Sequence, residues 1–243
     1  MERNELFMNP ILYVIRPGDT LFNLANKFGV TVQEIINSNL ALDPYNLRVG
    51  QQIYIYPRLP SNYWWSIHQV DLLKRMNLAW EQHIMWTRML LISIADNLKD
   101  LNATEKPLLQ NPKDIASIFR KYYGNAFANK IENLLTEHLA IGKDLIVALK
   151  NNNQKLVKEL TDKWYKNADD IAEAFSRVNP YYSKERLKDM LYDHLELPTD
   201  EVTARLRKDY SADIETFDKV QQGILKMSQY FVEGIFKQFP NLF

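Results

Sequence analysis

No cysteine occurs in this chain of 243 residues. Disulfides, thiolate metal sites and a cysteine nucleophile are therefore excluded. Glycine is scarce, and only four of the seven glycines lie beyond residue 62. Net charge is absent as well, because 30 basic and 30 acidic residues cancel. A nucleic-acid ligand held by bulk charge is not expected from such a balance. No apolar run approaches the roughly 20 residues that cross a bilayer, so no membrane span is expected. The opening MERNELFMNP lacks the charged-then-apolar order of a secretory signal, which predicts synthesis as a soluble cytosolic protein. Gly-rich phosphate loops, G-x-S-x-G and His-Glu-x-x-His are all missing. Nucleotide chemistry has no visible home, and no cofactor is expected.

Apolar residues make up 46% of the chain, enough to bury a core. They are arranged in two styles. Residues 11–16, ILYVIR, alternate and are rich in β-formers, which predicts a strand. Pro17 and Gly18 end it, and Asp19 or Thr20 can cap the helix that follows. Leu21, Leu24, Ala25 and Phe28 share one helical face, and Gly29 closes that helix. Thr31 and Glu34 form a capping-box pattern for a second helix carrying Ile35 and Ile36. A turn-rich loop with Pro44 and Gly50 leads to a second strand at 52–56, stopped by Pro57. A strand–helix–helix–strand unit this short sits near the lower size limit for a core.

The stretch YVIRPGDTLFNLANKFGVTVQEIINSNLALDPYNLRVGQQIYIYP resembles a LysM domain from end to end. It carries the Y-x-V strand, the GDTL turn, the K-F-G helix end, the N-x-L loop, the L-x-x-G-Q turn and the closing I-x-I-x-P. The resemblance covers about a fifth of the chain. It implies binding of N-acetylglucosamine-containing glycans, peptidoglycan or chitin-type oligosaccharide, in a shallow groove between two loops. On this sequence the loops are Gly18, Asp19, Thr20, Leu21 and Phe22, and Asn39, Leu40, Ala41 and Leu42. Phe22 stands where many family members have Trp. Gly18 and Asp19 also shape the turn, and Leu21 can belong to the core. A single copy implies weak binding, since repeated modules gain affinity through multivalency.

Residues 59–64 read as a short stiff linker, and Tyr63, Trp64 and Trp65 as interdomain packing. The remainder predicts helices at about 65–101, 113–150, 153–177, 184–208 and 211–237, with Pro107, Pro112, Pro180, Pro198 and Pro240 at breaks. Gly124 is a further candidate break. The apolar seams are Met76, Trp80, His83, Thr87, Leu90 and Ile94; Ile131, Leu134, His138, Ile141, Leu145 and Ala148; and Val157, Leu160, Trp164, Asn167, Ile171 and Ala174. Their three- and four-residue steps predict bundle packing. LLTEHLAIGKDLIVALK at 134–150 and MLYDHLELPTDEVTARLR at 190–207 form a faint internal repeat.

His83, His138 and His194 fall on apolar seams, joined by Thr87 and Asn167. They could build a metal or small-ligand site, but the Glu-x-x-His pairs of bundle metal centres are absent. The alternative is a polar layer whose hydrogen bonds fix helix register, and no metal is expected on that reading. Asp169, Asp170 and Glu173 could serve as paired carboxylates or form a solvated face. Arg205, Arg207 and Lys208 could meet wall anions or complement a helix C-terminus.

HIMWTR, NPKDIA, LLTEHL, KWYKNAD and QFPNLF resemble uncharacterised LysM-linked helical proteins of endospore-forming and related Gram-positive bacteria. The expected architecture is an α+β LysM domain (βααβ, residues 10–58) followed by an all-α helical bundle (65–243). The expected role is glycan binding that anchors an interaction or structural bundle, with its own protein partner, to cell wall or spore envelope. The alternatives are a metal-dependent or acid–base enzyme centred on the three histidines and a small-molecule-binding bundle.

Overall fold

The computed structural model describes residues 10–39, 41–44, 46–57 and 66–243. It divides into two compact units, with the boundary in sequence between Ser66 and Ile67. The linker, with Tyr63, Trp64 and Trp65, lies outside the described residues, as does Leu40.

In the first unit, β1 (Ile11–Val14) pairs antiparallel with β2 (Gln52–Ile55), Tyr13 opposite Ile53. Helix α1 (Leu21–Phe28) and helix α2 (Val32–Asn37) lie between them in sequence. Thr20, rather than Asp19, caps α1 by accepting from the Asn23 backbone N–H at 3.1 Å. The capping box of α2 is formed: the Glu34 N–H donates to Thr31 Oγ1 and the Thr31 N–H to Glu34 Oε2. These caps satisfy donors that so short a helix cannot satisfy itself. Tyr13, Ile15, Leu21, Leu24, Ile35, Leu42, Ile53 and Ile55 make the core.

The second unit holds α3 (Ile67–Asp96), α4 (Leu101–Lys150), α5 (Gln154–Val178), α6 (Lys184–Leu206) and α7 (Tyr210–Gln238), then a short 3-10 turn at Pro240–Leu242. Each helix packs on its sequence neighbours, and α3 also packs on α7, which closes the ring; α3 and α4 both touch α6. The described residues contain no helix long and apolar enough to cross a membrane.

Two boundaries differ from the sequence expectation. The first long helix stops at Asp96, and α4 begins at Leu101, running through Pro107 and Pro112. Each proline removes a backbone hydrogen bond, at a cost of about 3 kcal/mol in a helix interior. Thr104, Leu108, Asn111, Ile115 and Phe119 nevertheless form a buried stripe along that segment. Burying such a stripe against α3 outweighs the local penalty, because a fully buried large apolar side chain contributes about 1.5–3 kcal/mol. Pro198 is likewise buried inside α6, between Leu195 and Val202. The true interruption is Gly124, at φ +79° and ψ 179°, where α4 bends. A side chain rarely adopts that backbone conformation.

Phe119, Phe175, Phe231 and Trp80 fill the main core, with Phe175 and Phe231 rings 4.4 Å apart. Tyr182 closes it, donating its hydroxyl to the Phe231 carbonyl at 2.5 Å. A β-carbon at Gly234 would lie 1.9 Å from the Tyr182 ring, whereas one at Gly223 would meet nothing within 4 Å. Gly234→Ala is expected to destabilise the helical unit by about 1–3 kcal/mol. Gly223→Ala is expected to stabilise it by about 0.5–1 kcal/mol, through helix propensity. Thermal unfolding followed by circular dichroism checks both signs.

Candidate functional site

The seams predicted from sequence bring three imidazoles together. His83 comes from α3, His138 from α4 and His194 from α6. Their ring centroids are 6.2, 5.5 and 5.8 Å apart, and one ring nitrogen from each lies within 4.8 Å of the others. His83 and His138 are buried; His194 is partly buried. Burial pushes His83 down to about 4 and His138 to about 3, and His194 well below its ordinary 6.5, so all three are neutral at pH 7.

Two asparagines orient this cluster. His83 Nδ1 lies 3.1 Å from Asn111 Oδ1, and His138 Nδ1 lies 3.0 Å from Asn167 Oδ1. The amide orientations are fixed in turn. Asn111 donates to the Ala79 carbonyl at 2.7 Å, and Asn167 donates to the Leu134 carbonyl and Glu137 Oε2. Each amide oxygen therefore faces its histidine and requires a donor there. The proton sits on Nδ1 of His83 and His138, and Nε2 carries the lone pair.

Asn167 was expected from its seam; Asn111 was not. A signal for it exists: Asn111-x-x-Asp-Ile-Ala and Asn167-x-x-Asp-Ile-Ala follow His83 by 28 residues and His138 by 29. Thr87 bonds the His83 backbone carbonyl instead of joining the layer.

A cavity of about 40 Å³ adjoins the histidines. Leu90, Leu108, Leu139, Ile146 and Val202 wall it, and Arg88 and Glu201 reach it. Arg88 pairs with Glu201 and with the fully buried Asp213, 2.8 Å away. Arg205 bridges Asp96 and Asp213, so it ties α6 to α3 and α7 and is not a free wall-binding cation. Asp169 pairs with Lys188, Glu173 with Arg177 and Lys184, and Asp170 with Lys166. That acidic stretch is a charge-neutralised helix face, with no free carboxylate pair.

The turn before α1 is built by Asp19, whose Oδ2 accepts from the Arg16 N–H at 2.7 Å and the Tyr13 hydroxyl at 3.0 Å. Gly18 sits beside it at φ +83°. Leu21 and Leu42 are core residues, Ala41 is exposed, and Phe22 is 66% exposed. Asn39 is committed to β2: Oδ1 accepts from the Tyr54 N–H, and Nδ2 donates to the Tyr54 and Ile35 carbonyls. A separate concavity near α2 is lined by Val30, Glu34, Asn37 and Tyr56, and by none of the eight described residues among those expected to meet glycan.

Residues 13–55 match the family model described as "LysM domain". This segment is a LysM domain. LysM domains generally bind peptidoglycan or chitin-type glycans. No curated protein and no solved structure matches the chain. Within the LysM domain, the side chains of Asp19, Thr20, Leu21, Asn39 and Leu42 hold the loops in place. Among the described loop residues, Thr20, Ala41 and the Phe22 ring are exposed.

Two measurements check these assignments. Asn39→Ala is expected to lower LysM stability by about 1–2 kcal/mol, because it strips partners from β2 and α2 at once. Glu201 is pushed up to about 7, chiefly by burial, with Asp213 adding to the rise and Arg88 opposing it. A carboxyl whose folded value exceeds its ordinary 4.5 contributes stability below that pH and loses it as pH rises through about 7. The stability advantage of wild type over Glu201→Gln is therefore expected to shrink from pH 5 to pH 8. A constant difference in unfolding midpoint across that range would refute the raised Glu201.

Proposed function

We propose that the LysM domain binds N-acetylglucosamine-containing glycan, peptidoglycan in the first place, through residues 18–22 and 39–42, and so carries the helical unit to its site of action. The observation that supports this most is the family match over residues 13–55. The geometry is consistent with it. Acetamido groups need backbone donors and acceptors held still, and a pyranose face needs apolar cover. The capped α1, the Asp19 turn and the Asn39 clamp hold the loops, and the exposed Phe22 ring offers the cover. Leu40 belongs to the same proposed surface by resemblance alone.

The cargo of this anchor is the helical unit, acting in the cell wall or spore envelope. That placement rests on the LysM assignment and on the sequence resemblance of the helical part. A protein partner for that unit is part of the same reading.

Sedimentation with purified, protein-free peptidoglycan tests the anchor. The intact protein is expected to sediment and to be released by soluble chito-oligosaccharide. Phe22→Ala is expected to weaken binding roughly tenfold, equivalent to about 1.4 kcal/mol. Retention of the protein in the supernatant at every glycan concentration would overturn the proposal.

A further inference from the structure

We propose that His83, His138 and His194 form a binding site for one divalent transition-metal ion, with a coordination position left open toward the adjoining cavity. The argument begins with the two fixed tautomers. Asn111 and Asn167 take the Nδ1 protons, so His83 and His138 each retain an Nε2 lone pair. Histidine ligands of metals are held in this way, by a second hydrogen bond from the other ring nitrogen to an oxygen acceptor. Here the acceptors are themselves oriented, by the Ala79 and Leu134 carbonyls.

The spacing is close to that of a ligand set. The centre of a triangle with sides of at most 4.8 Å lies at most about 2.8 Å from its corners, and metal–imidazole bonds are about 2.0–2.1 Å. Side-chain adjustments of less than about 1 Å close that gap. The three rings come from three helices in mutual contact, α3, α4 and α6, so they converge from different directions. Pro198 leaves the His194 carbonyl without its usual helical N–H partner, next to the third ligand.

The donor set selects the class of ion. Three neutral imidazoles suit zinc, nickel, cobalt, copper or ferrous iron, and not the oxygen-seeking magnesium and calcium. Among the described residues lining the cavity, Glu201 is the sole carboxylate. Three protein ligands leave a position for water or a small ligand, as exchange-competent zinc sites do and closed structural sites do not. The cavity beside it is walled mainly by leucine, isoleucine and valine, so a small ligand with an apolar portion fits that position.

The test uses the full-length protein, prepared without a metal-affinity tag and stripped with a chelator. Titration with Co²⁺ is expected to saturate at one ion per chain with visible absorption bands, and Zn²⁺ is expected to displace it. Saturating Zn²⁺ is expected to raise the unfolding midpoint by several degrees, as mass action requires of a ligand specific to the folded state. His194→Gln is expected to abolish the bands, and Asn111→Ala to weaken Co²⁺ binding by roughly 10–100-fold. Azide is expected to shift the bands by occupying the open position. A wild-type protein with no bands and no shift in midpoint overturns the site, whatever the variants do. Stoichiometric binding that survives His194→Gln places the ion elsewhere and also overturns it. Bands indifferent to azide overturn the open position.

Discussion

Imidazole is costly to bury, and the helical unit is organised around meeting that cost. Three histidines stand between two apolar clusters, one built on Phe119, Phe175 and Phe231 and the other on Leu90, Leu108 and Leu139. Each paired ring finds its acceptor one helix further along the chain: α3 leans on Asn111 of α4, and α4 leans on Asn167 of α5. The amides complete their own valence on backbone carbonyls, so neither amide and neither Nδ1 proton is left facing hydrocarbon. An unpartnered polar group in such a place costs about 1–3 kcal/mol. Helix rotation and stagger are set by these contacts as much as by the fit of aliphatic side chains.

Charge is handled by the same rule at the cavity's other side. Two guanidinium groups, Arg88 and Arg205, face three carboxylates, Glu201, Asp213 and Asp96. With every acid ionised the cluster carries one excess negative charge. A proton on Glu201 neutralises it, which agrees with the upward displacement of that group. The cluster spans α3, α6 and α7 and therefore fixes the closing contact of the helical ring.

The first unit was legible in the sequence because local chemistry determines it. Thr31 and Glu34 can do little else three residues apart before an apolar pair, and their capping box is present. The bundle seams were legible for a similar reason, since helical periodicity reports burial directly: Met76, Trp80, Ile131, Leu145 and Ile171 are all buried. The N-terminal half of α4 was not legible. Pro107 and Pro112 argue locally against a helix, and only long-range burial of Leu108, Ile115 and Phe119 overrides that local preference. The histidine layer lay between these cases. Its rings were visible on the seams, but Asn111 was hidden in the segment where the two prolines mask the helical pattern. The expected glycan surface of the LysM domain was the least legible, because sequence alone does not separate the residues that shape its loops from residues available to a sugar.

The bend at Gly124 separates two halves of one helix that have different duties. Asn111 stands on one side, holding His83; His138 stands on the other, held by Asn167. About 20 Å of helix lies between Gly124 and each of these residues. Gly124 thus acts as the fulcrum of a lever. A change of about 3° there moves either end by about 1 Å, which is the scale on which three converging nitrogens differ from a closed ligand set. The angle between the segment that carries Asn111 and the segment that carries His138 is thereby set at a residue remote from both.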